Sequence, residues 1–397
     1  MTDLMAPPAR FAAGMDQLHA AAAAQLGGWI HFGPDDYLRG LEVLLRAADY
    51  DPRWSETGKA RGWAGLVGVL AARGHAIRAM QQTPSFEAQP IRRPIVITGI
   101  PRTGTTALHK LLAVDPQFQG LQTWLTGAPQ PRPPRATWEG NPQFQATVAE
   151  MARRHKDKPA ALAAHAMAAE EVDECCLVLR QGFVSNLWTC GWSAMTYDLW
   201  RQEASEAHCY AHFEGVLRLV GSNEPGKQWL LKNPGHVENL DALFAQFPDA
   251  LVIHTHRDPA KAVPSLCALL IGNHALFEEG RTEERAWQLG TRETEKWARA
   301  IRRAEPVRAA HAGQVLDVVH TDFHHDPMAT VERIYTFASL TLSDEVRAAM
   351  ALRIAEKPEL AHGAHRYALA EFGLTAEGVR EVFGDYVQRF DLVEQRA

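Results

Sequence analysis

From Ile95 to Leu112 the chain reads Ile-Val-Ile-Thr-Gly-Ile-Pro-Arg-Thr-Gly-Thr-Thr-Ala-Leu-His-Lys-Leu-Leu. Gly99 and Gly104 fill both glycine positions of the phosphate-binding pattern G-x-x-x-x-G-K-[ST], but Thr105 stands where a nucleoside triphosphatase carries its lysine. The triphosphate clamp is therefore missing while the anion site is kept. Backbone N–H groups at a helix start point outward, and the helix dipole favours negative charge there whatever the side chains are. Arg102 adds a full positive charge inside the loop, and Thr105 and Thr106 add hydroxyl donors at the start of the helix. A second cationic pair follows the apolar run Leu251-Val252-Ile253, where Arg257 comes just past the run and Ser265 eight positions later. Arginine offers a bidentate fork and serine a single donor, so the two can meet on one phosphate if a helix brings Ser265 back toward Arg257.

These residues need a scaffold that gathers them. Ile95-Val96-Ile97 is too short and too uniformly apolar for a half-wet edge strand and reads as a central parallel strand. A helix is predicted from Thr105 through Leu112, ended near Asp115-Pro116. The stretches Lys227–Gly235, Asp249–Pro259 and Gln314–Phe323 each offer a further strand, with a helix around Val237–Phe247 between the first two. Helical stretches fill much of Gln145–Val220. The order strand, helix, strand predicts an α/β fold, a P-loop-type parallel sheet flanked by helices, and ligands of such sheets bind at the carboxyl ends of the strands. Before Gln89 the pattern is helical, with Tyr37, Leu38, Leu41, Leu44 and Leu45 at the helix period. We therefore expect residues 1–90 to form a helical N-terminal extension and residues 91–397 the ligand-binding domain.

A formal net charge of −6 argues against a general nucleic-acid binder or a binder of anionic membranes, so an anionic ligand must be held by a local group of cations. No apolar run is long enough for a membrane span. The start of the chain lacks the charged-then-apolar pattern of a secretory signal, and the five cysteines include no C-x-x-C pair; both point to a cytoplasmic protein with reduced thiols.

The stretch Pro94–Leu112 resembles the 5′-phosphosulfate loop of sulfotransferases that use 3′-phosphoadenylylsulfate (PAPS), above all the bacterial branch with P-R-[ST]-G-T-T. The resemblance implies that Arg102, Thr103, Gly104, Thr105 and Thr106 hold the 5′-phosphate and sulfonate, and that Arg257 and Ser265 hold the 3′-phosphate. A later segment, His365, Tyr367, Phe372, Gly373 and Leu374, is similar to that branch's H-x-Y-x-x-x-x-F-G-L stretch and implies a cofactor-closing role that places Gly363, His365 or Arg366 near the 3′-phosphate. PAPS would be the sulfonate donor, no metal would be needed, and the acceptor would be a small molecule, lipid or carbohydrate.

Sulfonyl transfer requires a stabilised leaving oxygen and an activated acceptor. Lys232 at a strand end can hold the bridging oxygen. His236 is the natural general base, since an imidazole titrates near the operating pH. The family's histidine comes two residues after its lysine, where this chain has Pro234. The family's alternative base, a glutamate after tryptophan, is absent, because Leu125 follows Trp124, which leaves Glu170 or Glu171 as the carboxylate candidates. Trp188, Trp192, Tyr197 and Trp200 either line an acceptor pocket or, as aromatics at helical spacing more often do, pack in the core. His320, His324 and His325 lie around a turn without further metal-ligand spacing and read as surface histidines. Two rival functions are a P-loop kinase, which lacks its lysine, and an inactive nucleotide-binding protein.

Overall fold

The uniformly apolar run Ile95-Val96-Ile97 forms β1 (Ile95–Gly99), a strand buried along its whole length. Our computed structural model describes residues 2–157, 168–280, 282–356 and 368–393. β1 sits in the middle of a five-stranded sheet with β2 (Phe118–Gln119), β3 (Gln228–Lys232), β4 (Leu251–His256) and β5 (Val315–Val319), in the order β2-β3-β1-β4-β5. Every pairing is parallel. The sequence predicts four of these strands. The fifth, β2, is two residues long, too short for any periodicity, and exists because Phe118 and Gln119 pair with Gln228 and Trp229.

The register aligns the strand ends that matter. Ile97 pairs with Lys232, Gly99 with Thr255 and His256 with Val319, so the carboxyl ends of β3, β1, β4 and β5 follow one another along one edge. The chain goes outward from β1 to β2 on one side and returns to β4 on the other. That reversal makes the crevice beyond β1 the place where an open α/β sheet binds ligands.

Before the sheet come α1 (Met15–Gln25), α2 (Leu38–Tyr50) and α3 (Glu56–Gln82). Ser55 starts α3 by accepting the Gly58 N–H, an N-cap that satisfies one of the helix's orphan donors. Leu41, Leu44 and Leu45 of α2 are buried, as their spacing predicts. They do not pack on the sheet: their core is completed by Phe183, Trp188, Trp192 and Tyr197. Trp188, Trp192 and Tyr197 are at most 5% exposed, so the aromatic run fills a core rather than lining a pocket.

The glycine loop leads into α4 (Thr105–Leu112), whose Leu108, Leu111 and Leu112 cover Ile95, Ile97, Leu230 and Ile253 on one sheet face. Val96, Leu231 and Val252 point to the opposite face and the larger core. α5 (Pro259–His274) starts at Asp258, which caps it by accepting the Ala260 N–H. α6 (Glu283–Ala310) runs along α5 and across a 3₁₀ turn, Pro234–Asn239. That turn and the helix Leu240–Gln246 replace the single helix expected over Val237–Phe247. α7 (Ala376–Phe383) and α8 (Tyr386–Arg389) close the chain against α5 and β4. Among the described residues no helix is long and apolar enough to cross a membrane. None of the five cysteines is bridged.

Desolvation holds three imidazoles uncharged: the core His109 and His236 and the half-buried His212 are each pushed down to about 3. Unfolded, they would take up protons near the ordinary histidine value of about 6.5. Their contribution to stability is therefore complete above that value and is lost as pH falls toward 3. Glu206, pushed up to about 7 by burial, works the other way between the ordinary carboxylate range and 7, but it is one group against three. The melting temperature should fall by several degrees between pH 7 and pH 4.5, as thermal unfolding followed against pH would measure. A flat profile would contradict the burial of these rings.

Candidate functional site

Two glycines shape the loop. A Cβ on Gly99 would lie 2.4 Å from the Thr255 carbonyl oxygen, so β1 approaches β4 too closely there for any side chain. Gly104 sits at φ 88° and starts α4, in the left-handed region that glycine enters at no steric cost. Arg102 lies at φ 71°, a backbone state that costs a non-glycine residue about 1–2 kcal/mol and that recurs at ligand-binding loops. Thr103 turns inward, its hydroxyl 2.8 Å from the Ile100 carbonyl and 2.6 Å from the Thr255 hydroxyl. Only its backbone can face a ligand. Thr105 is 4% exposed and Thr106 is half-buried at the helix start.

The two cationic motifs meet. Arg102 Nε donates to Ser265 Oγ at 3.2 Å, and Arg257 Nη1 donates to the Arg102 carbonyl at 2.8 Å. Strand β4 delivers Arg257 at its carboxyl end, and α5, with Pro264 inside it, returns Ser265 to the same place. On the other side of the loop Lys232, 1% exposed, donates to Thr106 Oγ1 at 3.2 Å and is ion-paired with Glu174. An anion in this crevice would have the start of α4 and Lys232 at one end, Arg257 with Ser265 at the other, and Arg102, which touches Ser265 and Arg257, between them.

A sulfotransferase family model matches residues 94–344, more than half of the chain. The chain belongs to the sulfotransferase family. It is similar to the sulfotransferase STF1 from Mycobacterium tuberculosis H37Rv, with 38% identity, a TM-score of 0.84, and 93% of this chain and 98% of that one covered. It is also similar to the sulfotransferase STF9 from Mycobacterium avium, with 26% identity, a TM-score of 0.86, and coverage of 96% and 97%. No curated protein sequence matches it.

In this sulfotransferase the other expected site residues stand as follows. His236 lies wholly buried in the turn after β3, its Nδ1 2.7 Å from the Tyr210 hydroxyl; its Nε2 has no hydrogen-bond partner among the described residues. Burial holds it far below the range in which an imidazole accepts a proton at neutral pH. Glu171 is paired with Lys110 at 2.9 Å and accepts the Ala168 N–H, and Glu170 is exposed. Gly363, His365, Arg366 and Tyr367 lie outside the described residues. Phe372 of the same motif is buried, and Gly373 takes φ 65° against the Trp287 ring.

Glu174 was not singled out by the sequence, because its acidic neighbourhood reads as a charged helix face. Residues 168–171 instead form a turn, closed by the Glu171 N–H on the Ala168 carbonyl, and the chain then runs along the sheet: Gln122 bridges Val172, Asp173 N–H donates to the Leu121 carbonyl, and Cys175 N–H donates to the Lys232 carbonyl at 2.9 Å. That last bond sets Glu174 beside Lys232. His320 was also missed as a site residue. It opens the short helix after β5, and a Cβ on Gly104 would come 3.3 Å from its ring. Burial and the charges of Arg257, His324 and Lys261 push it down to about 3, which marks Lys261 as a further cation near the crevice. His324 and His325 are exposed. His254, His256 and Asp317 offer ligand atoms within 4.8 Å of one another, but the Arg308 guanidinium already engages His254 and both Asp317 oxygens.

Proposed function

We propose that this sulfotransferase moves a sulfonate from PAPS to a hydroxyl or amine of a small-molecule, lipid or carbohydrate acceptor and releases PAP. The observation that carries the reading is the contact of Arg102 with Ser265 and Arg257, which brings the loop and the second cationic motif together and so supports one ligand for both. The donor set fits a molecule with a phosphate at each end: glycines that leave backbone N–H groups accessible, two arginines, a serine and a buried lysine. The missing loop lysine fits a donor that presents one 5′-phosphate rather than a triphosphate.

Bound PAPS supplies the sulfonate, which passes to the acceptor oxygen as its bond to the 5′-phosphate breaks. In our reading Arg257 and Ser265 hold the 3′-phosphate. Arg102, the N–H groups from Thr103 to Thr106 and the Thr106 hydroxyl hold the 5′ end. Lys232 stabilises charge at the oxygen that leaves. We assign the proton-accepting role to Glu174 instead of His236, because the carboxylate reaches the Lys232 ammonium and keeps 22% of its side chain exposed toward solvent. His236, with Tyr210, supports the turn behind Lys232.

The test is turnover of PAPS with a panel of acceptors, followed by PAP release, alongside calorimetry with PAP. Arg257→Ala is expected to weaken PAP binding about tenfold or more, the loss of a charge-assisted contact of roughly 1.5–3 kcal/mol. Unaltered PAP affinity in that variant would remove Arg257 from the donor site.

A further inference from the structure

The turn that presents Arg257 is held from outside by the end of the chain. Asp258, the next residue, is 2% exposed, and both its oxygens are occupied. Oδ1 accepts from Ala260 N–H at 3.0 Å and Arg380 Nε at 3.2 Å, and Oδ2 accepts from Arg380 Nη2 at 2.6 Å. On the other flank His256 Nδ1 lies 3.0 Å from the Tyr386 hydroxyl. His256 Nε2 lies 2.7 Å from Asp317, whose carboxylate is forked by Arg308, and the His256 ring stacks on Phe390 at 3.8 Å. The segments α7 and α8 thus grip the residues before and after Arg257, while its guanidinium points to the Arg102 carbonyl.

Charge makes the Asp258 flank decisive. A carboxylate adjacent in sequence to a phosphate-binding arginine has two available cations, and a buried carboxylate stripped of its partner is strongly driven to find another. We propose that Arg380 is a positioning residue: by neutralising Asp258 bidentately, it keeps Asp258 from capturing Arg257 and leaves that guanidinium available to the donor's 3′-phosphate. Arg380 comes from a helix far along the chain and need touch no ligand. This inference rests on the assignment of Arg257 to the donor.

The experiment is isothermal calorimetry with PAP on the full chain, with KM for PAPS measured in parallel. Arg380→Ala is expected to weaken PAP binding about tenfold, and KM for PAPS should rise by more than kcat falls. In the double variant Arg380→Ala with Asp258→Asn, affinity should return to within about threefold of the wild type, because asparagine can still cap α5 but no longer attracts Arg257. An Arg380→Ala protein with wild-type affinity overturns the proposal. So does a loss that Asp258→Asn fails to restore, since Arg380 would then act only by holding the fold. Arg380 is 31% exposed, so its removal leaves no closed cavity; if the alanine variant does not fold, Arg380→Gln takes its place in the same pair of measurements. A wild-type chain without affinity for PAP would sink the donor assignment itself, an outcome separate from wild-type binding that Arg380→Ala leaves unchanged.

Discussion

Lys232→Ala is expected to lower kcat about 10²–10³-fold while PAP affinity stays within a few-fold of the wild type. The size is that of removing one preorganised charge-stabilising donor from a site poor in water. Lys232 is 1% exposed at the end of β3, fixed between Thr106 and Glu174, so it needs no reorganisation when charge develops on the leaving oxygen. Under the proposed donor assignment PAP already carries that charge in its product form and would be held mainly by Arg102, Arg257 and Ser265, which is why affinity should change little. Single-turnover rates beside PAP calorimetry separate the two quantities. Parallel losses in both would make Lys232 a binding residue instead.

Glu174→Gln is expected to lower kcat about 10²–10⁴-fold, the usual range for loss of a general base, and to abolish the acidic limb of the pH profile of kcat/KM. Glutamine keeps the length of the side chain but cannot take a proton at neutral pH. His236→Gln serves as the contrasting variant. It should lose stability, since it disrupts the buried contact with Tyr210, yet keep most of its turnover. The opposite pattern, a silent Glu174→Gln and a catalytically dead but folded His236→Gln, would return the base to His236. The contrast follows from desolvation: the imidazole that the sequence offers as general base is held by burial too weakly basic to compete for an acceptor's proton.

Much of the scaffold was legible in the residues because its signals are local. β1, its glycine loop and α4 lie in one continuous stretch, and the helix found, Thr105–Leu112, has the bounds that the pattern predicts. Arg257 and Ser265 were legible through a rule of topology, since strands that run parallel bring their carboxyl ends to one edge. The short strand β2 was not, because two residues carry no period and only pairing with β3 defines them. The aromatic run around Trp192 could not be divided between pocket and core, since both readings use the same spacing; the N-terminal helices that cover it decide for the core.

By itself, then, the sequence determined the strand, glycine loop and helix unit, the second cationic motif, the parallel sheet and the family resemblance, all of which rest on residues near one another in the chain or on backbone geometry. Only the tertiary structure decided which carboxylate stands beside Lys232, how deeply His236 is buried, and that Arg380 pairs with Asp258 beside Arg257. Those outcomes depend on desolvation and on charges meeting through space, and neither is set until segments distant in the chain pack together.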